Sequence, residues 1–419
     1  MTAVSEATRM SAGWVVACVG LSLMAGAAKA DDDAGLHGAV GLQVLSDNNL
    51  FRLPTGVSPP SATGSNDQRG DTVLAPFVTL SGTAVLAQQR FTASTTQRNN
   101  RMSHYSAYDT QTGDLQAQWD WRLGTQFDGR VDTSDTKQAS DLRDFSSPSS
   151  NTVDIPSSTN VLDIHSKHAS ANWRPRPDRR ITLDWQRYRG NNSLASFLTN
   201  DYAVRQMNIE GGWVTSLGTE WTLSYHDTDG HYPNRTEVQT LLIDNSYHQH
   251  DTQLGVVLRP GGRTRADLRA GYAVRHHVQV PQRDYSGPSG RAAIQWEASG
   301  STVLNLEAVR DLDSLDDRDR LFTISTRYTA GAQTAFSAQW QVALQWSRQR
   351  IDYGGDPQDI INLTPARRDV LQNTQLTLTW LPVDRVQIGL SFTQEHRDSS
   401  QAGFQYSDRS IGLSSQYSF

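Results

Sequence analysis

Leu115-Gln116-Ala117-Gln118-Trp119-Asp120-Trp121-Arg122-Leu123 decides the fold. Every odd position is apolar and every even position polar. Successive side chains of a β-strand point to opposite faces, so such a strand has one greasy face and one wet face. The pattern recurs along the chain. Ile181, Leu183 and Trp185 alternate with Thr182, Asp184 and Gln186, and Ala338, Trp340, Val342, Leu344 and Trp346 with Gln339, Gln341 and Gln345. Leu376, Leu378 and Trp380 alternate with Gln375, Thr377 and Thr379.

Alternation alone also suits a soluble sandwich, and connection lengths separate the two. Tight connections fall at Gln88, Gly124, residues 174–178, Leu217-Gly218, Pro260-Gly261-Gly262, Ser299-Gly300, Gly331 and Pro382-Val383-Asp384. Longer loops rich in Ser, Asp, Asn, Gly and Pro fall at 47–69, 135–157, 230–246, 278–289, 352–368 and 397–406. Short turns at one end and long loops at the other mark an all-β, transmembrane, antiparallel outer-membrane barrel. Closure leaves no strand edge unpaired in lipid, where no water can satisfy it. With both termini at the short-turn, periplasmic end the strand number is even; the segmentation gives eighteen, with sixteen as the alternative. Strand character begins within a few residues of Asp33, so no plug domain is expected.

Composition agrees. Hydrophobic residues make up 37%, below the ~45–50% of soluble globular chains, although Trp numbers 11. The mean hydropathy of -0.56 excludes a bundle of apolar membrane helices, each of which needs ~20 residues. One apolar stretch stands at the start: Arg9 precedes Trp14 to Met24, and Ala28-Lys29-Ala30 follows. These features predict a Sec-type signal peptide over 1–30, export to the outer membrane of a Gram-negative cell, and a single barrel domain over 31–419. The one cysteine, Cys18, falls inside that segment, so the exported chain holds no disulfide and no thiolate metal site. Losing Arg9, Lys29 and Glu6 moves the net charge from -6 to -7, and a mildly acidic chain does not suit nucleic acid.

No catalytic set stands out. Gly287-Pro288-Ser289-Gly290 lacks nucleophile-elbow spacing. His248, His250 and Asp251 form the densest group of metal-ligand types, but only neighbours at i and i+2 could share a strand face, no third ligand or base is placed beside that pair, and a solvated rim is the expectation there and at His276-His277. Asp31-Asp32-Asp33 reads as a solvated terminus. Asp311, Asp313, Asp316, Asp317 and Asp319, interleaved with Arg310, Arg318 and Arg320, read as a self-neutralising loop. No enzyme activity, cofactor or metal is expected.

The wet faces define the expected lumen: Gln116, Gln118, Asp120 and Arg122; Thr182, Asp184 and Gln186; Arg265, Asp267 and Arg269; Gln295 with Glu297; Asn305 with Glu307; Gln339, Gln341 and Gln345; Gln375 with Thr377. Amides and hydroxyls beside charges of both signs suit a hydrated path and sugar hydroxyls. The greasy faces place Trp119, Trp121, Trp185, Trp340, Trp346 and Trp380 against membrane lipid. Ile411, Leu413, Tyr417 and the terminal Phe419 share one face of the last strand. Tyr417 and Phe419 resemble the signal read by the barrel-assembly machinery, with Ser415 departing from it.

Four patches carry a further resemblance: Ser46-Asp47-Asn48-Asn49-Leu50-Phe51-Arg52-Leu53-Pro54, Asp227 to Arg235, Gln282 to Arg291, and Asp352-Tyr353-Gly354-Gly355-Asp356-Pro357. In order and spacing the chain resembles the EpsL-type outer-membrane barrels associated with exosortase and exopolysaccharide clusters. The resemblance implies a role in exopolysaccharide biosynthesis or export as a conduit for a polysaccharide chain, in company with periplasmic polysaccharide-export components. An uptake porin for sugars or small solutes, and an outer-membrane enzyme acting on lipid or polysaccharide, stay open. The patches lie mainly in long loops, where a role in loop packing is an equal expectation.

Overall fold

The computed structural model describes residues 34–59, 68–140, 157–235, 244, 246–279, 281, 284–314, 322–354 and 367–419. The segment read as a signal peptide, with Cys18, lies outside the described residues, as do Asp31 to Asp33, Asp316 to Arg320, Gln282, Arg283 and Gly355 to Pro357.

The strands are β1 Gly35–Asp47, β2 Asp71–Leu86, β3 Gln89–Met102, β4 Thr110–Leu123, β5 Phe127–Ala139, β6 Val161–Arg176, β7 Arg179–Asn192, β8 Tyr202–Val214 and β9 Glu220–His231. They continue as β10 Tyr247–Leu258, β11 Thr264–His277, β12 Tyr285–Glu297, β13 Thr302–Ser314, β14 Phe322–Ala335, β15 Trp340–Gly354, β16 Arg368–Val383, β17 Val386–Ser399 and β18 Tyr406–Ser418. Each pairs antiparallel with the next, and β18 pairs with β1 through Val40↔Tyr417, Leu42↔Ser415 and Val44↔Leu413. The sheet is therefore a closed barrel of eighteen strands, and the sixteen-strand alternative falls. At the seam the backbones of Gly38 and Phe419 exchange two hydrogen bonds, 2.9 and 2.8 Å. The Phe419 ring covers Gly38 so closely that a Cβ there would lie 2.5 Å from it.

Several boundaries differ from the sequence reading, two of them for local reasons. Gly331 is not a turn; it sits inside β14, opposite Asn305 and Gln345. The chain reverses at 336–339, where the Ser337 hydroxyl accepts the backbone N–H groups of Gln339 and Trp340, both at 3.2 Å. A serine that caps its own turn in this way competes with a glycine as the punctuation mark. Gln339 consequently belongs to the periplasmic turn and not to the lumen wall. Residues 285–289, expected in a loop because of Gly287 and Pro288, open β12 instead; the ring of Tyr285 lies over Gly287, where a Cβ would meet its hydroxyl at 2.1 Å.

Contacts that skip strands identify the concave face. Ser289 on β12 reaches Asp251 on β10 at 3.1 Å, and Arg269 on β11 reaches Glu210 on β8 at 3.8 Å. Only side chains converging inside a curved wall can do this, so positions sharing their faces point inward. The opposite positions form the apolar outer band. On β15 it runs Trp340, Val342, Leu344, Trp346 and then gives way to Arg348, Arg350 and Asp352; on β17 it runs Val386, Ile388, Leu390, Phe392 and then Gln394, His396 and Asp398. Seven residues at ~3.4 Å make ~24 Å of strand, enough for the apolar belt of such a barrel. The strands then continue beyond the belt as a hydrophilic collar. Aromatic pairs concentrate at the periplasmic border: Trp340 stacks on Trp380 at 5.5 Å, Phe127 on Trp173 at 6.3 Å and Phe91 on Trp119 at 5.9 Å.

Leu344→Arg, in the middle of the outer band, should cost ~2–4 kcal/mol. Gln345→Arg, one residue on and inward, should cost little. Refolding of the heat-modifiable form into vesicles at graded urea measures both; equal losses would mean the faces are inverted.

Candidate substrate path through the barrel

A barrel of eighteen strands has a lumen too wide for side chains to fill, and the inward residues define the chemistry of its wall. Their chemistry divides the wall in two. From β14 through the seam to β3 the wall is neutral and hydrogen-bonding. One cross-strand row reads Gln345, Gln375, Thr393, Ser410; another begins at Ser81 and Ser94 and runs on past this half to Gln116 on β4 and Ser134 on β5. The Thr79 and Thr96 hydroxyls meet at 3.1 Å, and Gln341 stands opposite Thr379. Below the mouth the inward ionisable side chains of this half are His37 and Arg90 at the periplasmic lip and Arg98 and Arg327 higher up, among the described residues.

From β4 to β13 the wall is charged, and many of its acids and bases pair with one another across strands. Asp120 takes Arg130 at 2.7 Å and Gln118 at 2.6 Å. Arg180 lies 2.7 Å from Glu210 and 3.2 Å from Glu220. Arg269 lies 3.3 Å from Asp267, and Arg291 joins Glu307 at 2.6 Å and Asp267 at 3.6 Å. His168 stands between two carboxylates, with Asp132 at 2.6 Å from Nδ1 and Asp184 at 2.9 Å from Nε2; sequence reading did not single it out because its partners lie on the two flanking strands. Of the other expected wall residues, Arg122 faces Asp128, Arg265 faces Gln295, and Gln186 reaches the Ser166 hydroxyl at 3.5 Å. Trp119, Trp121, Trp185, Trp340, Trp346 and Trp380 all lie on the opposite, convex face, as do Tyr417 and Phe419. Trp173, Trp213, Trp221 and Trp296 join them there.

The extracellular mouth over the neutral half is drawn inward by residues 48–59. Asn49 organises this segment: its amide donates to the carbonyls of Leu53 and Ser407, both at 3.0 Å, and its side-chain oxygen accepts the Leu53 N–H at 3.0 Å. Arg52 is held in the left-handed region, φ 52°, and its guanidinium reaches Asp47 on β1 at 2.8 Å, Asp408 on β18 at 3.2 Å and Glu395 on β17 at 3.7 Å. Behind it Phe51 packs edge-on against Tyr105 and Tyr108 at 4.8 and 5.2 Å, with Leu53 buried beside them. Asp71 holds Tyr105 in place by accepting its N–H at 3.0 Å. A second knot stands next door. Asp369, fully buried, takes Arg367 at 2.7 Å, Arg397 at 2.5 Å and the Tyr353 hydroxyl at 3.0 Å, and the Arg367 guanidinium lies 3.5 Å from the centre of the Phe404 ring. The first and last of the four sequence patches thus tie the mouth together. The second packs likewise, through Arg235 on the Thr199 carbonyl at 2.8 Å.

These charges lie in the collar, above the lipid belt. Burial pushes the Asp408 carboxyl up, and the neighbouring Asp47 and Glu395 add to it against the pull of Arg52, leaving it at about 8. Arg52 is raised by the same three carboxylates despite its burial. Burial opposes ionisation of Asp71 too, but the His104 side chain and three backbone N–H groups outweigh it and hold that carboxyl below its usual range. The three outer histidines singled out in the sequence each meet one aspartate: His250 meets Asp227 at 2.9 Å, His276 meets Asp284 at 2.8 Å, and His248 meets Asp229. No group of three ligands suited to a metal occurs among the described residues.

With this geometry in view, comparison with known proteins agrees on the class. The sequence pattern of the family described as Putative beta-barrel porin 2 matches residues 235–419, which hold β10 to β18. No curated protein matches. Among solved structures, the FrpB iron transporter from Neisseria meningitidis (F5-1 variant) superposes with a TM-score of 0.50 at 9% identity, covering 92% of this chain and 83% of that one. OccK3 (OpdO) from Pseudomonas aeruginosa gives 0.47 at 14% identity, covering 92% and 95%. At 9% identity the likeness to FrpB is one of fold. The chain is a porin-like outer-membrane β-barrel.

A carboxyl whose value is raised by folding stabilises the folded mouth most when both forms carry the proton. That advantage shrinks as pH climbs from the ordinary ~3.9 through about 8. Backbone amides of residues 48–58 should therefore exchange with deuterium more slowly at pH 5 than at pH 8.5, after correction for intrinsic rates. In Asp408→Asn the difference should vanish and the segment should stay protected at the higher pH. An undiminished difference in that variant would assign it to another group.

Proposed function

We propose that this barrel is the outer-membrane conduit for a polysaccharide chain in exopolysaccharide export. The observation that carries the reading is the neutral half-wall, where amides and hydroxyls repeat strand after strand from β14 to β3. A polymer rich in hydroxyls slides along such a wall by exchanging one partner for the next. Each hydrogen bond contributes a net ~0.5–1.5 kcal/mol, weak enough singly for release, as conduction requires. The pairing of charges on the other half leaves no strong field of one sign to arrest the chain. The resemblance of the patches Ser46 to Pro54 and Asp352 to Pro357 to EpsL-type barrels supports the same reading, and the place of Arg52 and Tyr353 in the mouth suits a gate more than a catalyst. The barrel has no enzymatic role in this proposal. Its partners are the membrane lipid, the barrel-assembly machinery that reads Tyr417 and Phe419, and periplasmic export components delivering the polymer to the short-turn end. An uptake porin for sugars would use the same wall in the other direction.

Deletion of the gene should abolish secreted exopolysaccharide or strand it in the periplasm. Gln345→Ala should restore secretion in full, whereas Gln345→Trp with Gln375→Trp and Thr393→Trp should block it while the barrel still assembles. Unchanged secretion by the deletion strain would end the export reading, and impaired growth on oligosaccharides would favour uptake. Loss of function from a single polar residue in an intact barrel would favour an enzyme.

A further inference from the structure

We propose that the outer face of β1 to β8 holds one phosphorylated lipid of the outer leaflet, its phosphate on Lys167, Arg187 and Arg205 and an acyl chain in an oblique gutter below them. The three cations are direct cross-strand neighbours: Lys167 pairs with Arg187, and Arg187 with Arg205. All are exposed and point outward. Like charges set opposite each other destabilise a sheet. Arg205 has Asp229 beside it, but neither Lys167 nor Arg187 has an acidic partner among the described residues. Two residues further along the strands the surface turns apolar, at Ala169, Trp185 and Met207. The row therefore stands at the border where lipid headgroups lie, on the long-loop, extracellular side.

The same row continues in the other direction without a charge. Lys167 pairs with Thr133, Thr133 with Ala117, Ala117 with Ala93, Ala93 with Gly82 and Gly82 with Leu36. Between Lys167 and Leu36 small side chains thus line the floor on four strands, β5 to β2, in a row that spans six strands and ~24 Å at ~4.8 Å per strand. The rows on either side carry larger side chains over β3 to β5 below, at Val131, Trp119 and Phe91, and on β4 and β2 above, at Leu115 and Leu80, with Asp135 and Thr95 completing the upper row on β5 and β3. Between them lie two adjoining grooves of about 830 and 550 Å³, the larger with Lys167 at its upper end and both ending at Leu36. Because barrel strands tilt, this row descends obliquely through the belt, from the cations towards the periplasmic border. An anion at the top and an apolar chain along the floor are the two halves of a phosphorylated lipid. Arginine and lysine bind phosphate by charge-assisted hydrogen bonds, and anionic lipid heads favour such clusters at the membrane surface.

The full barrel, purified in a neutral detergent, should retain bisphosphorylated lipid A in native mass spectra and lose its heat-modifiable form at a higher temperature when that lipid is present. Dephosphorylated lipid A should bind at least tenfold more weakly, and inorganic phosphate should not compete. Lys167→Gln with Arg187→Gln should weaken binding at least tenfold, and the charge-conserving Lys167→Arg with Arg187→Lys should restore it. Ala117→Trp with Ala93→Leu should fill the gutter and weaken binding with the cations intact; this pair carries the test if the glutamine pair does not assemble. Wild-type affinity in an assembled glutamine or gutter variant would overturn the proposal. So would equal binding of the dephosphorylated lipid, and competition by inorganic phosphate would leave an anion site without a lipid.

Discussion

Every backbone N–H and C=O in the hydrocarbon must be paired within the protein, and this one constraint governs the rest. It forces the sheet to close, which makes β1 and β18 neighbours although they stand at opposite ends of the chain. Closure gives the wall two surfaces with different solvents, and the period of two in each strand then sorts side chains between lipid and water. Apolar residues need only cover the convex face, which is why a chain of low mean hydropathy can live in a membrane.

Where the two solvents differ, the sequence was legible. β4, β7, β15 and β16 alternate because lipid lies on one side and water on the other along most of their length. Above the belt both faces are wet and the contrast disappears. Residues 135–139 of β5, 285–289 of β12 and 352–354 of β15 therefore read as loop, although backbone pairing carries the strands through them. Gly331 misled because a glycine in a strand resembles a turn, while the actual reversal was set by the Ser337 hydroxyl. The facing of the lumen residues followed from parity alone. Their partners did not: Asp132, His168 and Asp184 meet only because β5, β6 and β7 share one register.

The mouth was the least legible part, for a reason of distance along the chain. Arg52 finds Asp408 and Glu395, more than 300 residues away, and Asp369 gathers Arg367, Arg397 and Tyr353 from three strand ends. Such groups look like ordinary solvated loop charges until the barrel brings them together. Once gathered they are desolvated, and removing one partner of a buried set leaves another charge uncompensated. Charge in the lumen is handled differently: acids and bases sit beside one another on adjacent strands, wetted by the channel, so the wall stays polar at little cost.

Arg52 lies across the seam. Asp47 belongs to the first strand, Asp408 to the last and Glu395 to the one before it, while at the other end of the same seam Gly38 and Phe419 are interlocked. The first and last strands can meet only after the whole chain has been delivered, and contacts so distant in sequence form slowly because the loop entropy must be overcome first. A guanidinium in one early loop therefore acts as a latch on the final step of folding: it has nothing to grip until β17 and β18 arrive, and it then resists the opening of the one line along which the cylinder could be unrolled.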